Sequence, residues 1–587
     1  MTLERARRAL QKPPRVIARR LVDEAATELE RVRAPLRART FRGRFDWDAV
    51  VERAPRFEVV PPGDVLERAD AALARRVELL GSGPLDLGAP IDWLSDPRTG
   101  TRWERGYAPR LAYVRPPADV KLPWEISRVQ WLLPAAQAYE LTGDERYAVC
   151  VRDVLDEWIA ANPYAATVNW SVTMEVALRI VCWSWLLGAL GRSDAWRDEG
   201  FRSRFLRALW LHGDYTRRHL ERSDVNGNHF TADAAGLVFA GLLFERRRWS
   251  DLGWRLLLDE LPRQVHGDGV DFEASAAYHR LVGELFLLPA LYRRQLGLDV
   301  PPWYDERIGA MARFTLAITG PDGLTPLWGD SDDARALPLD GRAPRDHRGF
   351  TDLVGVQPVR RAFPEGGVYV LAAGEDHVVI DCGPVGLAGR GGHGHNDCLS
   401  FEAVLAGIRL ITDSGAYVYS SHPEQRNAFR ATAAHNTPRV DGIEQNRIPV
   451  SLWELENDAI PEPLLVEPLR FRGSHTGYLR LPDPVRPVRT IELDPERHAL
   501  HVHDVFEAHA PHTIEIPYHV APGLAVGAST GGAVTIGDFV LRWHGPWECS
   551  VEPAWVSPSY GVKLPAQKVV FRRTGPVEPL SVTIELG

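Results

Sequence analysis

Ionisable and metal-capable side chains gather most densely in GRGGHGHNDCLSFEAVLAGIRLITDSGAYVYSS, residues 389–421, and in ATAAHNTPRVDG, residues 431–442. His393, His395, Asp397, Asp413, Tyr417, Tyr419 and His435 all fall there. His395, Asp413 and His435 offer two imidazoles and a carboxylate, a mixture that suits zinc with water in the fourth place. Three separately hydrogen-bonded residues at a sheet edge would show the same long spacing, and both readings stay open on spacing alone. Two further foci lie upstream. In NGNHF, Asn228 and His229 open a helix, either as an anion site or as an N-cap followed by an ordinary first-turn histidine. In DGVDFEASAAYHRL, Tyr278, His279 and Arg280 are consecutive on a helix, so at most one or two face a common cleft. NWSVTMEVALR adds Asn169, Trp170 and the i, i+4 pair Glu175 and Arg179, expected as a structural brace.

These groups need rigid mounts. Leu399, Phe401, Ala403 and Leu405 alternate with Ser400, Glu402 and Val404, the period of a strand. Ala406-Gly407 predicts a hairpin turn and Ile408 to Thr412 a second strand, which leaves Asp413 at a strand end beside Ser414-Gly415. Upstream, from Asp64 to about Thr319, helix follows helix, beginning with the amphipathic LERADAALARRVELL. Short turns such as Thr142-Gly143-Asp144 predict helical hairpins in a ring or solenoid. Residues 325–350 break this pattern with Pro, Gly and Asp and read as a linker. From Gly367 onward, many short strands separated by turn signals predict an antiparallel sandwich. The expected division is a partly helical lead-in at 1–60, a helical domain at 61–345 and a β domain at 346–587.

Composition bounds the function. The 587 residues are 45% hydrophobic and 25% charged, enough apolar mass for large globular cores. A formal net charge of -9 gives no reason to expect nucleic acid, although a local basic cleft can still take an anionic ligand. Cys150, Cys182, Cys382, Cys398 and Cys549 are odd in number and mostly inside apolar runs, which predicts buried thiols and no disulfide framework. The basic start, MTLERARRALQKPPRVIARRLVDEAATELERV, lacks an apolar signal core and reads as a solvated helix. No stretch reads as a transmembrane segment, and a cytoplasmic location is expected.

A family resemblance rests on motifs in order. DVKLPWEISR, AYELTGDERYA, NWSVTMEVALR, NHFTADAAGL, DFEASAAYHRLV and PDGLTPLWGD are followed by GHGHNDCLSFE, ITDSGAY and AAHNT. Together they resemble the heparinase II/III-type polysaccharide lyases, which include heparin/heparan-sulfate lyases and related alginate lyases. The resemblance implies an N-terminal incomplete (α/α) toroid followed by a C-terminal antiparallel β-sandwich, with an active site in the cleft between them. It implies β-elimination on a 4-linked uronic-acid polysaccharide. In that reaction Asn228 and His229 would stabilise the aci-carboxylate, and Tyr278 would act as base or acid. His393 would be the second proton-transfer group, with Tyr417 an additional candidate. Asn169, Trp170, Arg280 and Tyr419 would bind the polymer. The resemblance also favours zinc at His395, Asp413 and His435, in a structural role, and it allows a homodimer. One departure weighs against dual heparin/heparan specificity: Ala232 stands where some heparinase II-type members carry glutamate.

Two other classes compete. A toroidal glycoside hydrolase would need two facing carboxyl groups, for which Asp330 and Glu273 are available. A catalytically silent polysaccharide-binding protein would need neither the Asn-His pair nor the tyrosine.

Overall fold

In a computed structural model, residues 14–41, 43–357, 361–529 and 531–587 are described, so the first part of the basic leader lies outside the described residues. Close packing groups the chain into two units. The first comprises Met1–Leu79, Pro84–Leu257 and Leu291–Gly297; the second comprises Leu80–Gly83, Leu258–Ala290 and Leu298–Gly587.

The first unit is helical. Its main helices are α1 (Pro14–Thr40), α2 (Trp47–Arg53), α3 (Val65–Leu73), α4 (Lys121–Arg128), α5 (Leu133–Thr142), α6 (Glu145–Ala161), α7 (Thr173–Leu190), α8 (Glu199–Arg218) and α9 (Asn228–Leu243). Asp46, Asp144 and Asp198 cap α2, α6 and α8 by accepting from first-turn N–H groups. Gly143 ends α5 in the left-handed conformation, as its turn signal predicts. The lead-in is less irregular than expected: α2 is anchored by Trp47, whose indole N–H donates to Gly191 O at 3.0 Å. Conversely, the long helix expected after Asp64 stops at Leu73. Arg75 turns left-handed, and Arg76–Glu78 (β1) pairs with Pro84–Asp86 (β2).

α7 lies at the centre of this unit against α9. A Cβ on Gly236 would come within 2.8 Å of Ala177 Cβ, so the glycine permits the close crossing. Contrary to the sequence reading, α7 is long and apolar enough to cross a membrane, yet 94% of that window is buried inside the protein. It also carries Glu175 and Arg179, both buried and bonded, so we read it as a core helix.

The second unit joins helices to β-structure. It holds the end of α10 (Arg247–Gln264), most of α11 (Ala276–Gln295), and α12 (Pro302–Ile318) and α13 (Arg348–Val354). Ala362–Phe363 (β3), Val368–Ala373 (β4), Asp376–Asp381 (β5), Phe401–Leu405 (β6) and Ile408–Ile411 (β7) form one antiparallel sheet in chain order. Ala406 and Gly407 both have positive φ, the two-residue hairpin turn expected there. β6 begins at Phe401 rather than Leu399, because Leu399 is left-handed. Both faces of β6 are buried. Phe401, Ala403 and Leu405 enter the sandwich core, while Glu402 accepts from Arg409 and Thr412.

A seven-stranded sheet includes Arg486–Asp494 (β8) and Ala499–Glu507 (β9), and a four-stranded sheet includes His512–His519 (β10) and Val562–Gly575 (β11). Ile491, Val502, Ile516 and Phe571 from these two sheets share one core with Val378 and Ile380 of the first sheet. The other face of β4 and β5 packs Val368, Val370 and Val379 on Phe314 and Ile318 of α12. All five cysteines are free; Cys182, Cys382 and Cys398 are buried, and Cys150 and Cys549 are partly so.

Candidate active site

The segment that reads as a linker is the heart of the second unit. Pro326 to Asp330 are buried, and Asp330 organises the residues around it. Gly329 has φ +68°, and a Cβ there would lie 2.3 Å from Ala274 O, so only glycine lets the chain lie against the start of α11. Ser275 Oγ then donates to Asp330 O, and Asp330 N donates to His393 O at 2.9 Å. Composition alone cannot tell such a buried turn-rich segment from an exposed linker.

The Asp330 carboxylate meets three partners. His393 Nδ1 lies 3.0 Å from Oδ2 and His395 Nε2 lies 3.1 Å from Oδ1. Arg426 donates with both terminal nitrogens, at 2.8 Å to each oxygen. Burial opposes ionisation, but the Arg426 charge and the two imidazole hydrogen bonds hold this carboxyl well below its usual range. Arg426 sits on the short helix α14 (Pro423–Phe429) and also donates to Leu452 O at 2.7 Å. Its guanidinium lies 4.6 Å from the Tyr419 ring centroid and 4.5 Å from that of Trp453.

Tyr278 completes the cluster. Its ring stacks on His393 with centroids 3.6 Å apart and planes 16° from parallel. Its hydroxyl donates to Asp332 Oδ2 at 3.0 Å and lies 3.4 Å from the hydroxyl of Tyr419. Burial, then the nearby Asp332 and Asp330 carboxylates, push the phenol well above its ordinary value, so it is neutral. His393 Nε2 is 3.5 Å from Glu273 Oε2. The three consecutive residues on α11 diverge as helix geometry requires. His279 bonds Met311 O and the Asp271 N–H, and Arg280 donates to Pro344 O and Ala334 O.

A second polar group adjoins the first through His395. One donor atom each from His395, Asp413 and His435 lie within 4.8 Å of one another, and all three residues are buried. His435 Nδ1 is 2.7 Å from Asp413 Oδ2. Among the described residues, His395 Nδ1 and His435 Nε2 are buried without a hydrogen-bond partner, as is Asp397 Oδ2. Despite burial, the His435 charge keeps the Asp413 carboxyl below its usual range. Two open imidazole nitrogens beside an ionised carboxylate fit a divalent metal such as zinc. The loop is stapled by Asn436, whose amide donates to Phe401 O and Thr412 O and accepts from His519 N–H. Arg489, paired with Asp504 across β8 and β9, donates to Leu399 O and Asn436 O.

Comparison with known proteins places this chain. Models of the heparinase II/III N-terminus and of the heparinase II/III-like C-terminal domain match residues 62–339 and 356–584. The chain belongs to the heparinase II/III family. A heparin-sulfate lyase of Pedobacter heparinus is 26% identical over 430 residues, 67% of this chain and 60% of that protein. Another, from Bacteroides stercoris, is 25% identical over 413 residues, 60% of each. The chain thus spans about 60% of the length of these relatives. A crystal structure of heparinase III matches 96% of this chain and 89% of its own with a TM-score of 0.69 at 18% identity. That likeness shows the fold, an incomplete (α/α) toroid followed by an antiparallel β-sandwich, as the sequence predicts.

The remaining residues singled out in this heparinase II/III-family chain divide sharply. Asn228 and His229 belong to the first unit. Gly227 holds the N-cap position, so Asn228 is the first helical residue rather than the cap. His229 is half exposed, with Nδ1 3.1 Å from Glu221 Oε2. Asn169, Trp170 and Arg280 do not present themselves to a polymer. All three are buried, Asn169 by donating to Trp93 O and Asn162 Oδ1, Trp170 among Trp158, Tyr164, His212 and Tyr215. The Glu175–Arg179 brace is replaced. Glu175 takes Arg128 in a two-pronged pair at 2.7 and 2.7 Å, and Arg179 turns to Asn169 O and His212 Nε2. Tyr417 packs its ring near Phe429 and Lys563, and it is Tyr419 that reaches Tyr278. Sequence reasoning missed Arg426, Asp332 and Trp453; Asp330 and Glu273 had drawn notice only as a hydrolase pair.

Proposed function

We propose that this protein is a polysaccharide lyase that cleaves a 4-linked uronic-acid polysaccharide by β-elimination, leaving an unsaturated uronate end. The observation that carries the reading is the stacked Tyr278–His393 pair, one a neutral phenol and the other an imidazole held by Asp330. Elimination needs one group to take the C5 proton and another to protonate O4 as it leaves. The phenol keeps its proton and so has one to give, and we assign Tyr278 to O4 and His393 Nε2 to the C5 proton. Asn228 and His229 are assigned to the aci-carboxylate that develops when C5 is deprotonated. Trp453, 44% exposed and 6.1 Å from the His393 ring, offers a face on which a pyranose can stack.

A glycoside hydrolase fits less well. Asp330 is ionised and fully engaged, so it has no proton to give a leaving group. Incubation with heparan sulfate, alginate, hyaluronan and bacterial exopolysaccharides separates the classes. A lyase produces ultraviolet-absorbing unsaturated ends, and a hydrolase produces reducing ends without that absorbance. Polymer binding with neither product would overturn both enzyme readings.

We also propose one zinc per chain at His395, Asp413 and His435. When bound there, the ion would act as a structural crosslink of the sandwich edge. Elemental analysis should find it in protein purified without chelator, and His435→Ala should lose it together with several degrees of Tm. Metal-free wild-type protein of unchanged Tm would sink the assignment.

A further inference from the structure

One carboxylate serves two histidines with different proposed tasks. Arg426 donates to both oxygens of Asp330, as a guanidinium does to a carboxylate, so the group is acceptor-only and every nitrogen that meets it must bring a hydrogen. His395 therefore carries its proton on Nε2, which leaves Nδ1 as the lone pair, and that Nδ1 is the buried atom without a partner. His393 carries a proton on Nδ1, which leaves Nε2 for the mobile proton, on the side of Glu273. The carboxylate itself cannot rotate. Arg426 grips both oxygens at 2.8 Å, and is fixed in turn by Leu452 O and by the faces of Tyr419 and Trp453. Only a planar fork makes that grip.

We propose that Asp330, clamped by Arg426, is a shared positioning residue: it sets the tautomer of His395 for metal binding through Nδ1 and that of His393 for proton transfer through Nε2. Metal affinity and turnover are then linked through a residue that binds neither metal nor substrate. The inference rests on the lyase reading for His393 and on the proposed metal for His395.

Asp330→Asn tests it, because the amide keeps the shape and offers a single acceptor oxygen. Zinc affinity, read by competition with a chromogenic chelator, should fall about 10–100-fold, the usual cost of losing a carboxylate behind a ligating histidine. Turnover should fall at least about tenfold with KM within about twofold, since no substrate contact is removed. Saturating zinc should restore occupancy and not turnover. Wild-type zinc affinity in this variant would overturn the His395 half, and full recovery of turnover with zinc would overturn the His393 half. Arg426→Lys, which keeps the charge and loses the fork, should weaken both properties; wild-type values for both would overturn the proposal if Asp330→Asn does not fold. If wild-type protein cleaves no uronic polymer, the chelator competition still decides the His395 half, and the failure belongs to the lyase reading.

Discussion

Arg179 in the helical unit and Arg426 in the second unit are built from the same parts. Each is buried, at 0% and 3% exposure, and each lies over two aromatic rings. They differ in where their hydrogen bonds end. Arg179 ends on a backbone carbonyl, Asn169 O, and on His212, a fully buried imidazole. Burial brings its guanidinium down to about 9. Burial, then the Arg179 charge, holds His212 far below its ordinary range. Arg426 ends on a carboxylate that keeps it charged, and through that carboxylate on His393 and His395. The first network is closed and neutral at its far end. The second passes to an imidazole with 12% of its side chain exposed and stacked on a phenol. Buried polar clusters of like composition are therefore told apart by their terminal groups.

Removing the phenol should give the largest effect. Tyr278→Phe keeps the ring on His393 and deletes only the hydroxyl that meets Asp332 and Tyr419. Turnover should fall by at least about 10²-fold, the low end for general acid–base groups, in a protein that stays folded with Tm lowered by only a few degrees for the lost Asp332 hydrogen bond. Near-normal elimination would pass the donor role to another group and blur the contrast between the clusters. Arg179→Met should do the reverse. It strands Asn169 O and His212 Nε2 and should cost about 3 kcal/mol of stability. Turnover per folded molecule should stay within about threefold. Denaturant unfolding alongside initial rates reads both, and a large loss of turnover at full stability would break the comparison.

The neighbouring histidines His279 and His393 sharpen it further. His279 accepts from Asp271 N–H and donates to Met311 O, and burial takes it down to about 4. An unfolded histidine titrates near 6.5. As pH falls below that value the unfolded chain binds a proton that the native ring refuses. Stability is therefore full above about pH 6.5 and is lost as pH drops toward 4, at up to about 1.4 kcal/mol per pH unit. Between pH 6.5 and 5 this histidine should contribute about 2 kcal/mol of loss. Urea midpoints at the two pH values, for wild type and His279→Asn, measure it as a shallower slope in the variant. Equal slopes would mean that His279 is not held neutral.

Much of this was legible in the chain. Caps, helical spacing and short apolar runs fix the order helices-then-sheets, and Ala406-Gly407 fixes a hairpin register. Helix geometry lets at most one or two of Tyr278, His279 and Arg280 face a common cleft, and the resemblance selects Tyr278 for proton transfer. Other relations depended on partners distant in sequence. Asp330 and Asp332 sit in a Gly/Pro-rich stretch whose burial comes from α11 and the His393 loop, neither visible locally. Glu175 has a cation at i+4 but takes Arg128, 47 residues away, because both are already inside the core.

Tyr417 and Tyr419 give the smallest expected effect and the finest test. The resemblance implies proton transfer for Tyr417 and polymer binding for Tyr419, and two positions apart on a strand they would share one face. The chain is not a strand there and bends at Tyr419. Tyr419 turns inward, its hydroxyl 3.4 Å from that of Tyr278 and its ring against Arg426. Tyr417 stays half-buried beside Phe429, with the Lys563 ammonium 4.9 Å from its ring centroid and its carbonyl accepting from Gly561 N–H. The ring contacts of Tyr417 survive loss of the hydroxyl, so Tyr417→Phe should change turnover by less than about twofold. Tyr419→Phe removes a neighbour of the proposed donor and should cost about tenfold. Both variants should bind polymer as wild type does in a gel-retardation assay. If instead Tyr417→Phe were the slower enzyme, the inward-facing cluster would not be where the proton moves, and the distinction drawn between the two buried arginines would lose its functional meaning.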